Sequence, residues 1–263
     1  MDLQQARAAA EQAALAAGDV VMRYYGTDVP QTTKSNIRDI VTEADKAAET
    51  VILPLLRAAL PEAAMFSEES AADERPGAPQ WHVDPIDGTT NFAASMPFFS
   101  ISIGLSDAAG RPLVGVVYCP VFRELFSAAA GHGAALNGRP LHVSRTTMLE
   151  RALLCSGFSV GRETGEIANL AAWKAMMFAA RDIRRMGSAA LELAYVAAGR
   201  LDGYWESSLH TWDIMAGLCL VEQAGGRISD YSGGHERLRD AREIAASNGH
   251  IHDAMLAALP RLG

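Results

Sequence analysis

The run Trp81-His82-Val83-Asp84-Pro85-Ile86-Asp87-Gly88-Thr89-Thr90-Asn91-Phe92 carries an apolar stretch into a turn that holds two aspartates. Pro85 and Gly88 constrain that turn, so Asp84 and Asp87 can converge on one hard cation. Gly88, Thr89 and Thr90 then open a helix, and the free N–H groups of a helix start suit a phosphate. The same residue types also build a plain Asp-Pro turn with a helix cap. Spacing by itself leaves the two readings level.

Downstream of this run the pattern is one of short strands. Residues 99–105 alternate as F-S-I-S-I-G-L, residues 113–118 and 122–127 follow, and Asn137-Gly138 marks a tight hairpin turn. An antiparallel sheet is expected. Upstream, apolar residues at helical spacing predict a helix over 3–24, closed by Gly26, and a second over 43–59 with Thr42 as N-cap. Pro54 is expected to kink or shorten the second. Beyond Arg151, helices are expected over 166–179, 188–198, 212–224 and 250–259, and strands near Leu153, Tyr204, Arg227 and Ile244. The expected organisation is a mixed α/β fold in two lobes: residues 1–150 with the sheet and the main acidic motifs, and residues 151–263 as a β/α lobe completing the site.

Composition narrows the function classes. With 49% hydrophobic and 21% charged residues over 263 positions, a disordered chain is excluded. Lys and Arg total 23 against 31 Asp and Glu, a net charge of −8, which argues against nucleic acid as a default partner. Cys119, Cys155 and Cys219 are few, odd in number and far apart. They suggest neither a disulfide framework nor a zinc site, and a reducing cytoplasm is the expected compartment. No stretch is long and apolar enough to span a membrane, and the acidic and basic residues at the N-terminus do not suit a signal peptide.

Three further acidic segments stand out: Phe66-Ser67-Glu68-Glu69-Ser70, Trp212-Asp213 at the start of a helical pattern, and Asp45 in the first turn of the 43–59 helix. Each has a bland alternative. Adjacent acids usually form a solvated face, and Asp45 and Asp213 could each simply complement a helix dipole.

Together these segments resemble the inositol monophosphatase family, within the lithium-sensitive, magnesium-dependent sugar-phosphatase superfamily. The resemblance rests on Glu68-Glu69-Ser70, the run from Asp84 to Phe92, and Trp212-Asp213 with Gly225-Gly226 downstream. It extends to Lys34, Val41-Thr42-Glu43-Ala44-Asp45 and Gly187-Ser188-Ala189-Ala190. It implies an alternating αβαβα sandwich, two to three Mg²⁺ per subunit and a homodimer. Glu68, Asp84 and the Ile86 carbonyl would hold the first ion, and Asp84, Asp87 and Asp213 the second. A weaker third would lie near Glu68 through water. Thr89 with Asp45 would activate the attacking water. Asp87, Gly88, Thr89, Thr90, Gly187, Ser188, Ala189, Glu206 and Asp213 would line the substrate pocket, with Glu206 accepting hydrogen bonds from ring hydroxyls.

The chemistry that this implies is hydrolysis of a small phosphate monoester, with myo-inositol monophosphate favoured by the Thr90-Asn91-Phe92 ending. Four carboxylates supply a formal −4 that divalent ions would offset, and every candidate ligand is a hard oxygen, which fits magnesium. Asp87→Asn is expected to stop turnover while leaving the fold intact. A haloacid-dehalogenase-type phosphatase needs acids two apart near the N-terminus, and here they are three apart and past residue 80. No P-loop motif occurs. Other substrates of the superfamily, and a mainly protein-binding role on the same fold, remain as alternatives. His82 and His210 read as structural.

Overall fold

The computed structural model describes residues 1–28, 31–33, 40–73, 75–158 and 169–260. In chain order the elements are α1 (Leu3–Tyr24), β1 (Gln31–Thr33), β2 (Ile40–Thr42), α2 (Glu43–Ala59), β3 (Ala64–Ser67), β4 (Gln80–Asp87) and α3 (Thr89–Ala93). Then come β5 (Ser100–Ser106), β6 (Pro112–Cys119), β7 (Glu124–Ala129), β8 (Ala134–Leu136), β9 (Arg139–Pro140), β10 (Leu153–Ser156), α4 (Leu170–Ala179) and β11 (Asp182–Arg184). The chain ends with α5 (Ala189–Ala197), β12 (Gly203–Ser207), α6 (Thr211–Gln223), β13 (Arg227–Ser229), α7 (Glu236–Arg239), β14 (Glu243–Ser247) and α8 (His252–Ala258).

These elements stack as an αβαβα sandwich. Helices α1 and α2 cover the outer face of a seven-stranded sheet ordered β3-β4-β5-β6-β7-β8-β9, burying Ala13, Ala17, Ile52 and Leu56 against Trp81, Ile101, Ile103 and Leu105. Helices α5 and α6 form the middle layer, packed between that sheet and a five-stranded sheet ordered β11-β10-β12-β14-β13. Helices α4 and α8 close the far side on Trp205, Ala245 and Leu154. No described helix is long and apolar enough to cross a membrane.

Helices α1 and α2 run over the expected residues. Asp2 caps α1 by accepting from the Gln4 and Gln5 N–H groups. Thr42 and Asp45 form a reciprocal capping box on α2. Pro54 does not shorten α2. It lies on the exposed face, as does Thr50, whose carbonyl loses its helical partner, while Ile52 and Leu56 hold the opposite face in the core. The large sheet is not wholly antiparallel, because β3 runs parallel to β4 at its edge. Strand β7 starts two residues later than expected. Residues 120–123 make the turn, with Arg123 at φ 53° and its N–H donating to Pro120. Asn137 and Gly138 both take positive φ, the mirror-type turn that this dipeptide signals. The sequence pattern did not single out β1, β2, β11 or α7. Of the helix expected over 166–179, residues 166–168 lie outside the described residues.

The middle layer fixes the site. On β5 the residues facing α6 are small, and Gly104 pairs across strands with Gly115 of β6. A Cβ on Gly104 would stand 2.8 Å from the Ala216 nitrogen, and one on Gly115 would overlap the Ala216 carbonyl oxygen. Helix α6 therefore lies flush on the two bare backbones. The Ser102 hydroxyl donates to the Trp212 carbonyl at 3.0 Å and pins the N-terminal end of α6 over β4 and β5.

Candidate active site

Asp84 and Asp87 are three apart on β4, and in a regular strand they would point to opposite faces. Asp84 pairs with Ser102, and the next pairing is Asp87 with Ser100. Three residues on β4 thus oppose two on β5, which is a β-bulge. The bulge turns both carboxylates to the α5–α6 side. Gly88 follows at φ 96°, and a Cβ there would meet the Gly187 carbonyl oxygen at 3.0 Å, so glycine is required for both conformation and space. Chain direction then reverses into the five-residue α3, where Thr89 is half-buried and Thr90 exposed.

Four expected acids come together. Burial and the charges of Glu68, Asp87 and Asp213 push the Asp84 carboxyl well above the usual range. Asp84 also shares a hydrogen bond with Glu68, which follows directly on β3. Asp213, in the first turn of α6, is raised by burial and by Asp87 and Glu68. Burial likewise raises Asp87, against the stabilising effect of the Ser188 hydroxyl and the Ala190 and Ala189 N–H groups.

Asp87 is anchored across 101 residues of sequence. Its Oδ2 accepts from Ser188 Oγ at 2.6 Å and the Ala190 N–H at 2.8 Å, and its Oδ1 accepts from the Ala189 N–H at 3.2 Å. The start of α5 therefore binds this carboxylate directly. The bulge carboxylate is part of the packing between β4 and α5, so Asp87→Asn is expected to disturb the fold as well as the site.

Asp45 sits at the edge of the cluster, fully buried on α2. Oδ2 accepts from the Thr42 N–H at 2.8 Å and hydroxyl at 2.6 Å, while Oδ1 is buried without a hydrogen-bond partner. Burial pushes its carboxyl up to about 7, with Glu69 and Glu68 adding to the rise. The capping bonds use Oδ2 alone and leave Oδ1 without a hydrogen bond. Thr89 is not hydrogen-bonded to Asp45; its hydroxyl donates to the Ile86 carbonyl at 2.9 Å. That carbonyl has a second lone pair for a further partner.

Among the described residues no three His, Cys, Asp or Glu side chains stand in a closed ligand arrangement. Asp87 is held as above, and Asp213 Oδ2 accepts the His210 N–H at 2.8 Å. The donor chemistry nevertheless fits a hard divalent cation. Glu68, Asp84, Asp87 and Asp213 offer only oxygen; besides burial, the charges of Glu68, Asp87 and Asp213 raise Asp84, those of Asp87 and Glu68 raise Asp213, and that of Glu68 raises Asp87. Asp45, with its orphaned oxygen, lies near enough to Glu69 and Glu68 for their charges to raise it. A dication is the partner that such a charge cluster selects.

Glu206 is buried on β12 rather than a surface residue after a strand. The Tyr204 hydroxyl donates to its Oε2 at 2.6 Å. Burial pushes the Glu206 carboxyl up to about 7, against the stabilising Tyr204 hydroxyl, with the charge of Asp87 adding to the rise. Gly187, at φ 85°, abuts Asn91, whose Nδ2 donates to the Phe98 and Met186 carbonyls at 2.7 Å each. His82 is structural: it bridges the Thr211 and Ser106 hydroxyls at 2.9 and 3.0 Å, and burial lowers it to about 4. His210 stacks on Trp212. Lys34 lies outside the described residues.

Sequence reasoning passed over Glu49 and Glu192. Glu49 is buried one helical turn after Asp45 and accepts from the Ser67 and Ser70 hydroxyls on either side of Glu68 and Glu69. The available signal was an acid four residues from Asp45, on the helix face otherwise made of Ala44, Ala48 and Ile52.

A sequence profile of the Inositol monophosphatase family matches residues 2–263. The inositol-1-monophosphatase of Synechocystis sp. is 42% identical over 259 residues, covering 98% of this chain and 90% of the relative. The Nus factor SuhB of Pasteurella multocida is 42% identical over 238 residues, covering 90% and 89%. The inositol monophosphatase structure from Anabaena (Nostoc) sp. superposes with a TM-score of 0.89 at 41% identity, covering 100% of this chain and 99% of that one. With the whole chain matched and the layered fold shared, the protein belongs to the inositol monophosphatase family, a family of metal-dependent phosphomonoesterases.

Proposed function

We propose that this protein hydrolyses myo-inositol monophosphate to inositol and phosphate, using two to three Mg²⁺ per subunit. The observation that carries the reading is the convergence of Glu68, Asp84, Asp87 and Asp213 beside Asp45, whose Oδ1 is buried without a partner. Glu68, Asp84 and the Ile86 carbonyl would hold one ion, and Asp84, Asp87 and Asp213 another. When bound, these ions supply charge neutralisation for the phosphate dianion and the departing alkoxide.

The chain's own residues do the rest. The Asp45 Oδ1, with Oδ2 fixed by Thr42, takes a proton from the attacking water, and the Thr89 hydroxyl orients that water. Glu206 accepts hydrogen bonds from ring hydroxyls, and the Gly187–Ser188–Ala189 segment bounds the ring. Contacts remote from the breaking bond hold the ester in line for attack.

A second reading is favoured by the relatives named Nus factor SuhB, which match as closely as the phosphatases do. On that reading the chain serves mainly as a partner in a larger assembly. Phosphate release decides between them. After exhaustive chelation we expect no release, and Mg²⁺ should restore it with inositol 1-phosphate preferred over sugar phosphates, phosphoadenosine nucleotides and histidinol phosphate. No Mg²⁺-dependent release from any of these would reject the enzymatic reading.

A further inference from the structure

Glu192 is almost fully buried near the start of α5, one turn after Ser188. A carboxyl placed there needs a compensating role, because ionisable groups are rarely buried without partners. Its partners are specific. Oε1 accepts from the Met186 N–H at 2.7 Å and from the Gly187 N–H at 2.9 Å, and the Cys155 thiol of β10 donates to the same carboxyl. The two backbone donors belong to the segment that immediately precedes the Asp87 anchor. Met186 is also fixed through its carbonyl by Asn91 Nδ2, and Gly187 packs its carbonyl against Gly88. Residues 186–190 are thus clamped from inside by Glu192 and present Ser188 Oγ and two N–H groups outward to Asp87.

Two features make this more than helix capping. Glu192 reaches back past the N-cap to residues five and six before it, so it fixes the loop as well as the helix. It also stands near enough to a second buried carboxyl, Glu206, to feel its charge. Burial and that neighbour push Glu192 up to about 8. A glutamine matches it in shape and keeps an oxygen to accept from both N–H groups.

We infer that Glu192 is a positioning residue for Asp87: it sets the loop whose Ser188 hydroxyl and N–H groups aim Asp87 at the cation. The inference rests on the metal-dependent phosphatase reading, but its test does not depend on turnover alone. Partners that orient a metal ligand typically contribute 10–100-fold to metal affinity or activity. Glu192→Ala leaves the Met186 and Gly187 N–H groups without their acceptor. Calorimetric titration with Mg²⁺ should then show affinity weakened about 10–100-fold, and kcat/KM for inositol 1-phosphate should fall with it. Amide exchange at residues 186–190 should speed up. Glu192→Gln keeps an acceptor oxygen for both N–H groups and should recover most of the affinity and the exchange protection.

The titrations are run well below each variant's melting temperature, so a purely structural role would lower the melting temperature and leave Mg²⁺ affinity in place. An alanine variant that binds Mg²⁺ as the parent does, or a glutamine variant that fails as badly as alanine, overturns the inference. A parent protein that binds Mg²⁺ yet releases no phosphate overturns the phosphatase reading instead, and the titration then decides the role of Glu192.

Discussion

Gly115→Ala tests whether the site is set by how closely α6 lies on the sheet. The new methyl would overlap the Ala216 carbonyl oxygen and stand 3.0 Å from the carbonyl carbon and 2.9 Å from Cys219 Cβ. Ordinary carbon–carbon contact is about 3.5–4.0 Å, so α6 must lift by roughly 0.5–1 Å. The obstacle is helix backbone, which cannot swing aside as a side chain can. Lifting α6 stretches the 3.0 Å bond from Ser102 to Trp212 and carries Asp213 away from Asp84 and Asp87. Overpacking of this kind costs about 1–3 kcal/mol of stability. A melting temperature lower by about 2–4 °C per kcal/mol is expected for a chain of this size. A displacement near 1 Å at a reacting geometry costs on the order of 100-fold in rate. The assay is phosphate release from inositol 1-phosphate as a function of Mg²⁺, at a temperature where both proteins are folded. Gly18→Ala is the control, because the atoms it would meet first belong to the Tyr118 ring of β6, away from α6, and a ring can rotate. It should cost some stability and no activity. A Gly115→Ala protein with parental kcat/KM and parental Mg²⁺ half-saturation would refute the idea that the close approach of α6 positions Asp213.

Asp87→Asn should lose activity by orders of magnitude and also destabilise the fold, by about 1.5–3 kcal/mol for hydrogen bonds to a charged group, because the amide would face three donors; chemical denaturation reads this, and unchanged stability would place the anchor on α5 in error. Glu206→Gln should weaken turnover of inositol 1-phosphate by roughly 1.5–3 kcal/mol and spare glycerol 2-phosphate, whereas equal losses would assign Glu206 to the metal side or the fold. His252, buried between the Ser229 and Ser247 hydroxyls, is lowered to about 4 by burial and by Arg227. An unfolded histidine titrates near 6.5, so between these values the unfolded chain binds the extra proton, and up to about 3 kcal/mol of stability present above that range is lost as pH falls through it. Urea midpoints for His252→Gln should show a shallower dependence over this window than the parent, and parallel curves would remove His252 from the acid response.

Local rules carried the sequence reading a long way on one side of the molecule. The bounds of α1 and α2 follow from Gly26, Thr42 and the apolar spacing. The run from Asp84 to Phe92 exposes its turn and its helix start. Legibility ended where a side chain's role depends on a partner far along the chain. Nothing near Asp87 announces Ser188. Glu49 and Glu192 look like ordinary solvated acids on helices until tertiary packing turns them inward. The bulge between Asp84 and Asp87 is visible only once β5 lies beside β4. Gly104 and Gly115 read as weak points in strands and prove to be the seat of α6. Pro54 misled for the complementary reason: a helix breaker on an exposed face is tolerated when the opposite face is held by the core.

The polar strip beneath α6 has a consequence for how the chain is made. His82, Asp84, Ser102, Gly104 and Ser106 lie under α6, yet roughly a hundred residues separate Ser106 from Thr211. At ribosomal speeds that interval is about 5–20 s. Over that time strands β4 and β5 could already be paired beneath α1 and α2, with their other face still uncovered. Had that face been lined with leucine, it would offer neighbouring nascent chains a surface for aggregation. Hydroxyls, an imidazole, a carboxylate and bare backbone can be hydrated while they wait. The residues that later frame the chemistry would thus keep the β4–β5 part of that face hydrated, while Val117, Cys119 and Phe126 on its β6–β7 part wait for α5 and α6.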